Sequence, residues 1–286
     1  MIETSVHLLP STIALGASYA LVALGFVLVI NAVGAVNFAH GELVMLGGVI
    51  AVGIASLLPD GMAAPGLIVL PGVLLASAAA GLGLAALAYL PLRRAPPVNV
   101  FISTIAVGLI IQHGVTAGFG PEPRVGPPLV PDVDQSVMVI VVAGAAIAAV
   151  HLVLSRSQFG RMLRAAAQDP DMARAVGVPV GLTIAASFAL AGALAGTAGL
   201  LLSNQYFVTP SDGANLMLKA YIAVVIGGWG RVWGAAAGAV LIAVFETLIA
   251  VWLSYAVAEL ALYLAVFAVL AFRPQGLFGE AEGRRA

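Results

Sequence analysis

The sequence of 286 residues predicts an all-α integral membrane protein, a polytopic bundle of about eight transmembrane helices, eight or nine by its apolar runs. Three observations predict it. Hydrophobic residues make up 62% of the chain with glycine left out of the sum, against roughly 45–50% in soluble domains with glycine included. Charged residues make up 9%, against about 25% typically. The apolar residues form continuous runs near the ~20 residues that a helix needs to cross a ~30 Å hydrocarbon core. Mean hydropathy is +1.09. So few charges could not cover the surface of a soluble protein of this size, which excludes a soluble globular enzyme and a disordered chain.

The runs follow in order. Leu8–Ile30 is the first; Met1–Pro10 before it lacks the positive region of a signal peptide, so this run is expected to be retained. Val36–Leu58, Leu67–Leu92, Val98–Phe119, Val137–Leu154 and Leu182–Leu202 come next. Leu216–Ile226 is short and reads as a crossing or a re-entrant half-helix, Val232–Leu253 is full length, and Ala256–Phe272 is marginal. None shows the period-two alternation of an outer-membrane strand. Lipid leaves backbone groups no external partner, so the runs are helices. The whole chain, 1–286, is expected to be one transmembrane domain.

Arginine sets the orientation. Arg93 and Arg94 follow the third run; Arg156, Arg161, Arg164 and Arg174 lie between the fifth and sixth; Arg273, Arg284 and Arg285 lie beyond the last. Placing these in the cytoplasm makes 93–97, 155–180 and the C-terminus internal, and 59–66, 120–136 and 204–214 external. Loop 120–136 has only Arg124, among Glu122, Asp132 and Asp134. A net charge of −1 offers no basic field for nucleic acid. Cysteine is absent, which removes disulfides and thiolate chemistry. There is no Walker A pattern, and the one lysine is Lys219; any ATP used in transport would be bound by another chain.

The internal loop 155–180 carries more order than a connector needs. Phe159–Ala167 has helix-forming composition, with Arg161 and Arg164 on one face. Asp169 suits an N-cap, Pro170 the first helical position and Asp171 the first turn. Gly177 suits the C′ position of the short helix 170–176, which includes Arg174. The segment reads either as a docking helix for a cytoplasmic partner or as a helical connector that obeys the charge rule.

Asn37, His40 and Glu42 open the second run, where polar groups read as a substrate path or gate, or as an interfacial cap. Thr104, Gln112, Glu246 and Glu259 are further membrane-embedded polar residues. Glu246 is either a carboxyl hydrogen-bonded to a neighbouring helix or part of a translocation path. His40 and Glu42, two apart on a helix, do not converge on a metal. Gly192 and Gly196 form one small-residue pair, and Gly230, Gly234 and Gly238 another, suited to close helix packing.

Several of these segments together resemble a known family. NFAHG (37–41) followed by Glu42, ISTIAVGLIIQ (102–112), GRMLRAAAQDPDMARAVGV (160–178), FALAGALAGTAGLL (188–201), KAYIAVVIGGWGRVWGAAAGAVL (219–241) and RPQGLFG (273–279) are similar to permease subunits of bacterial branched-chain amino acid ABC importers. The resemblance implies the ABC importer permease fold in the bacterial inner membrane, with a cytoplasmic C-terminus. It implies a second related permease, two cytoplasmic ATPase subunits that hold ATP and magnesium, and a periplasmic or lipid-anchored binding protein, with no cofactor in this chain. It makes Arg161, Arg164, Asp169, Asp171, Arg174 and Gly177 coupling residues, and Asn37 and His40 path or gate residues. The family's relatives also import urea, short amides and small organic acids. The alternative reading is a stand-alone secondary transporter or urea-type channel using Glu42, Glu246 and Glu259. No nucleophile–base pair or metal cluster suggests a membrane enzyme.

Overall fold

The computed structural model describes residues 2–59, 61–93, 95–273 and 276, with side chains from residue 8 onward and that of residue 97 excepted. Arg94, Arg284, Arg285 and most of the RPQGLFG segment lie outside the described residues. Among the described residues, helices account for nearly all regular structure. They are α1 (Ile2–Val33), α2 (His40–Ala55), α3 (Pro65–Leu84), α4 (Pro97–Phe119), α5 (Gln135–Arg156), α6 (Gln158–Gln168), α7 (Pro170–Ala175), α8 (Val180–Gln205), α9 (Asp212–Gly227), α10 (Val232–Trp252) and α11 (Tyr255–Phe272). α3 continues through a π turn, Ala85–Tyr89, and a 3-10 turn, Leu90–Leu92.

Among the described residues, seven helices are long and apolar enough to cross a membrane. α2 and α9 have 16 residues each, ~24 Å at 1.5 Å per residue and short of a ~30 Å core. The second apolar run is therefore shorter than its hydropathy suggests. Gly34, at φ +67, ends α1 and donates its N–H to the Ile30 carbonyl at 2.8 Å. Asn37 Oδ1 then accepts from the Ala39 N–H at 3.1 Å, so the chain turns over 34–39 before α2 starts.

α1 and α8 form the inside of the bundle. The most apolar windows of these two helices are 89% and 72% buried, whereas those of α4, α5 and α11 are 22%, 17% and 17% buried and form the outer wall. α8 packs against α1, α2 and α3, and α1 packs against α5, α8, α9 and α10. The contacts are backbone to backbone. A Cβ added at Gly192 would strike the Ser77 carbonyl, and one at Gly196 the Ser77 side chain; Gly199 lies on the Val44 carbonyl. Gly234 lies against the Gly227 carbonyl and Gly238 against that of Ala223, so these two close α10 onto α9. Gly230 stands apart from that stripe. It lies in the turn before α10, where its carbonyl accepts from Asn31 Nδ2 at 3.0 Å.

The three loops read as external meet at one end. A two-residue bridge pairs β1 (Arg124–Val125) antiparallel with β2 (Phe207–Val208). Gly66 N–H donates to the Pro128 carbonyl at 2.9 Å and Gly126 N–H to that of Ser203 at 2.7 Å. Asn204 Nδ2 donates to the Pro127 carbonyl and to Gln135 Oε1, at 3.0 and 3.2 Å. The Arg-bearing turns after α3 and α5 gather at the other end, around a cavity of about 880 Å³ that Arg93 and Arg174 both line.

A buried ion pair ties four helices together. Lys219 on α9 and Glu246 on α10 are 4% and 1% exposed. Lys219 Nζ donates to Glu246 Oε1 at 2.7 Å and to the hydroxyls of Tyr19 (α1) and Tyr255 (α11), each at 2.8 Å. Tyr19 donates in turn to Glu246 Oε2 at 3.2 Å. All three ammonium protons thus have acceptors, which a buried lysine requires.

Three outcomes follow, read as thermal unfolding of the detergent-purified protein. Gly196→Ala destabilises by about 1–3 kcal/mol through overpacking. Gly114→Ala, where a Cβ meets open space, is neutral or stabilising by up to about 1 kcal/mol. Lys219→Met costs about 3–5 kcal/mol by stranding a buried carboxylate, and adding Glu246→Leu restores most of the loss.

Candidate functional site

The Arg-rich end is built from capped pieces. Ser157 ends α5, and its hydroxyl accepts the Gly160 N–H at 3.2 Å to start α6. Gly160 packs on the Leu154 carbonyl, which also accepts from Arg164 at 2.6 Å. α6 buries Leu163 and Ala166 and exposes Arg161 and Arg164. Asp169 caps α7 by accepting the N–H groups of Asp171 and Met172, at 2.9 and 3.0 Å. Gly177, at φ +86, closes the helix. Its N–H donates to the Arg174 carbonyl and that of Val178 to the Ala173 carbonyl, the paired bonds of a Schellman motif. Arg174 and Asp171 form an exposed i, i+3 ion pair, worth only about 0.3–0.5 kcal/mol.

This loop also presents a feature not picked out from the sequence. Met172 and Val176 are 68% and 78% exposed, and their i, i+4 spacing puts them on one face of the α7 turn. The pair forms a small apolar face flanked by the exposed Arg174. Their spacing was legible, but only the packing of Ala173 inward shows which face stays open.

The polar residues of the second run take separate roles. His40 is fully buried; its Nε2 lies 3.0 Å from the Val22 carbonyl, to which it donates, and its ring packs on Gly25. It fastens α2 to α1. Asn37 holds the turn before α2 through its Oδ1. Thr104 on α4 accepts the Phe38 N–H at 3.2 Å and donates to the Phe101 carbonyl at 2.9 Å. Phe38 and Phe101 stack edge to face at 4.7 Å beside it.

Glu42 and Gln112 share a groove of about 350 Å³ between α2, α4 and α9, with Phe38, Ile105, Leu109 and Met217 as apolar lining. Gly41 lies against the Gly213 carbonyl, and the Glu42 carboxylate rests on the Gly213 Cα. Glu246 is not part of this groove, being closed within the Lys219 network. Glu259 accepts from Asn215 at 2.6 Å and from Tyr263 at 2.8 Å. The structure therefore separates three groups: the capped Arg-rich loop, the Glu42 groove and the Lys219–Glu246 tie. Lys219, Tyr19 and Tyr255 went unread as partners of Glu246. The available signal was one lysine and one carboxylate in neighbouring apolar runs, where opposite charges usually pair.

Known proteins match the sequence over almost its whole length. Residues 8–271 match the family described as "Branched-chain amino acid transport system / permease component". The chain is 31% identical over 293 aligned residues to the high-affinity branched-chain amino acid transport system permease protein BraD of Pseudomonas aeruginosa, covering 94% of each. It is 29% identical over 289 residues to the permease proteins LivH of Salmonella typhimurium and of Escherichia coli, again covering 94% of each. No solved structure matches the chain significantly. With its membrane-crossing helices and this match across 8–271, the chain belongs to the family of branched-chain amino acid transport permease components.

Proposed function

We propose that the chain is one membrane-spanning subunit of an ATP-driven importer for branched-chain amino acids or related small polar solutes. It would form half of the translocation path and seat the cytoplasmic ATPases on α6 and α7. The observation that carries the reading is the loop 157–178. It is capped at both helix starts, closed by Gly177 and topped by exposed Met172 and Val176 among Arg161, Arg164 and Arg174. A loop that only joined two spans would need none of this order. The relatives' names as branched-chain amino acid permease proteins support the solute class.

In this reading the chain does no covalent chemistry. ATP and magnesium are held by two ATPase subunits, and their closure and release shift the permease between conformations by differential contact with α6 and α7. A second, related permease completes the path, and a periplasmic or lipid-anchored binding protein delivers the solute. The Arg-rich end then faces the cytoplasm and the bridged loops face outward, with the chain in the bacterial inner membrane and its C-terminus inside.

The docking surface is tested by Arg164→Glu with Asp171→Arg, and separately by Met172→Asp with Val176→Asp. Each pair lowers co-purification of the ATPases and solute uptake about tenfold or more, a loss of ~1.4 kcal/mol at the interface, while membrane insertion stays normal. Unchanged co-purification and uptake in both pairs would remove the docking role. Uptake by this chain alone in liposomes would favour a stand-alone carrier or channel.

A further inference from the structure

The groove between α2, α4 and α9 holds a carboxyl group with an unpartnered oxygen. Glu42 is 7% exposed, and its Oε2 is buried without a hydrogen-bond partner. Among the described residues no cation reaches it: Lys219 has all three protons committed to Glu246, Tyr19 and Tyr255. Asp212, next to Gly213 on which the carboxylate rests, adds negative charge. The N-terminal dipole of α2 offsets about 1–2 kcal/mol at most, well below the cost of a lone carboxylate at membrane depth. The groove lies half way along α4, at Gly108, and its other walls are aliphatic or aromatic. An open, apolar recess with one unpartnered carboxylate, and one amide from Gln112 whose N–H groups can donate to an oxyanion, is complementary to a small zwitterion with an apolar side chain.

We propose that Glu42 receives the ammonium group of the transported solute, with the solute's aliphatic part against Phe38, Ile105, Leu109 and Met217. The assignment rests on the import reading above and adds to it the atom that recognises the solute within the permease.

The chain has no cysteine, so Leu109→Cys places a single thiol in the groove. In the assembled transporter, the rate of its modification by a neutral maleimide is measured with leucine, with methylammonium and with neither. Both amines slow labelling about tenfold or more when Glu42 is present, Glu42→Asp retains part of the protection, and Glu42→Gln loses it. Failure of both amines to protect, or protection that survives Glu42→Gln, overturns the assignment. Loss of the second permease from purified Glu42→Gln transporter also overturns it, because the carboxylate would then pair with that subunit. Protection by methylammonium but not by leucine leaves the groove assignment standing and removes the branched-chain substrate.

Discussion

Lipid gives helices no reward for hiding apolar surface from it, so this bundle depends on how closely its backbones approach one another. α8 is where that constraint is met. Gly192, Gly196 and Gly199 lay its backbone directly on Ser77 of α3 and on Val44 of α2. With no side chains in between, dispersion and carbonyl contacts act at their shortest range. The same device recurs at Gly41 on Gly213 and at Gly238 on Ala223, which bring α9 to α2 and to α10. Everything else is hung on these crossings: α2 holds Glu42 at the groove because Gly41 allows it, and α9 holds Lys219 opposite Glu246 because Gly238 allows it.

The two embedded carboxylates show how differently a membrane protein can treat the same group. Glu246 is enclosed, shares a lysine with two tyrosines and links four helices. Its cost is met within the chain, and its yield is a fixed geometry. Glu42 is held almost as deeply, but its environment leaves it short of a partner. One carboxylate is mortar and the other faces an opening, although the sequence presents both as a glutamate in an apolar run.

What could be read in advance was what local chemistry decides. Hydropathy located the spans, and the Asp169–Pro170 and Gly177 signals located α7 within a residue, because capping is settled over a few neighbours. Arginine sorted the loops into two sets, and the set with few arginines does meet at one end. What stayed hidden depended on distant parts of the chain. Lys219 and Glu246 find each other only when α9 and α10 are folded together. The β1–β2 bridge joins residues more than 80 apart in number, with no strand pattern to announce it. The α2 run looked full length because Val36 and Ala39 are as apolar as a helix would make them; the turn there is imposed by Gly34 and by the Asn37 side chain. Gly230 has the spacing of a packing glycine but serves a turn, a distinction that only the end of α9 decides.

The stitched loops have a mechanical consequence. Gly66, Gly126, Asn204 and the β1–β2 bridge join the ends of α3, α4, α5, α8 and α9 into one plate. At the opposite end these helices are joined by α6, α7 and turns that flank a cavity. A bundle clamped at one end and open at the other behaves as a set of levers with a common fulcrum. α8, of 26 residues, is ~39 Å long at 1.5 Å per residue, so a tilt of about 5° at the clamp would carry its far end about 3 Å. In the docking reading proposed above, a push on α7 would tilt α8 as a rod, with no need for any helix to unwind.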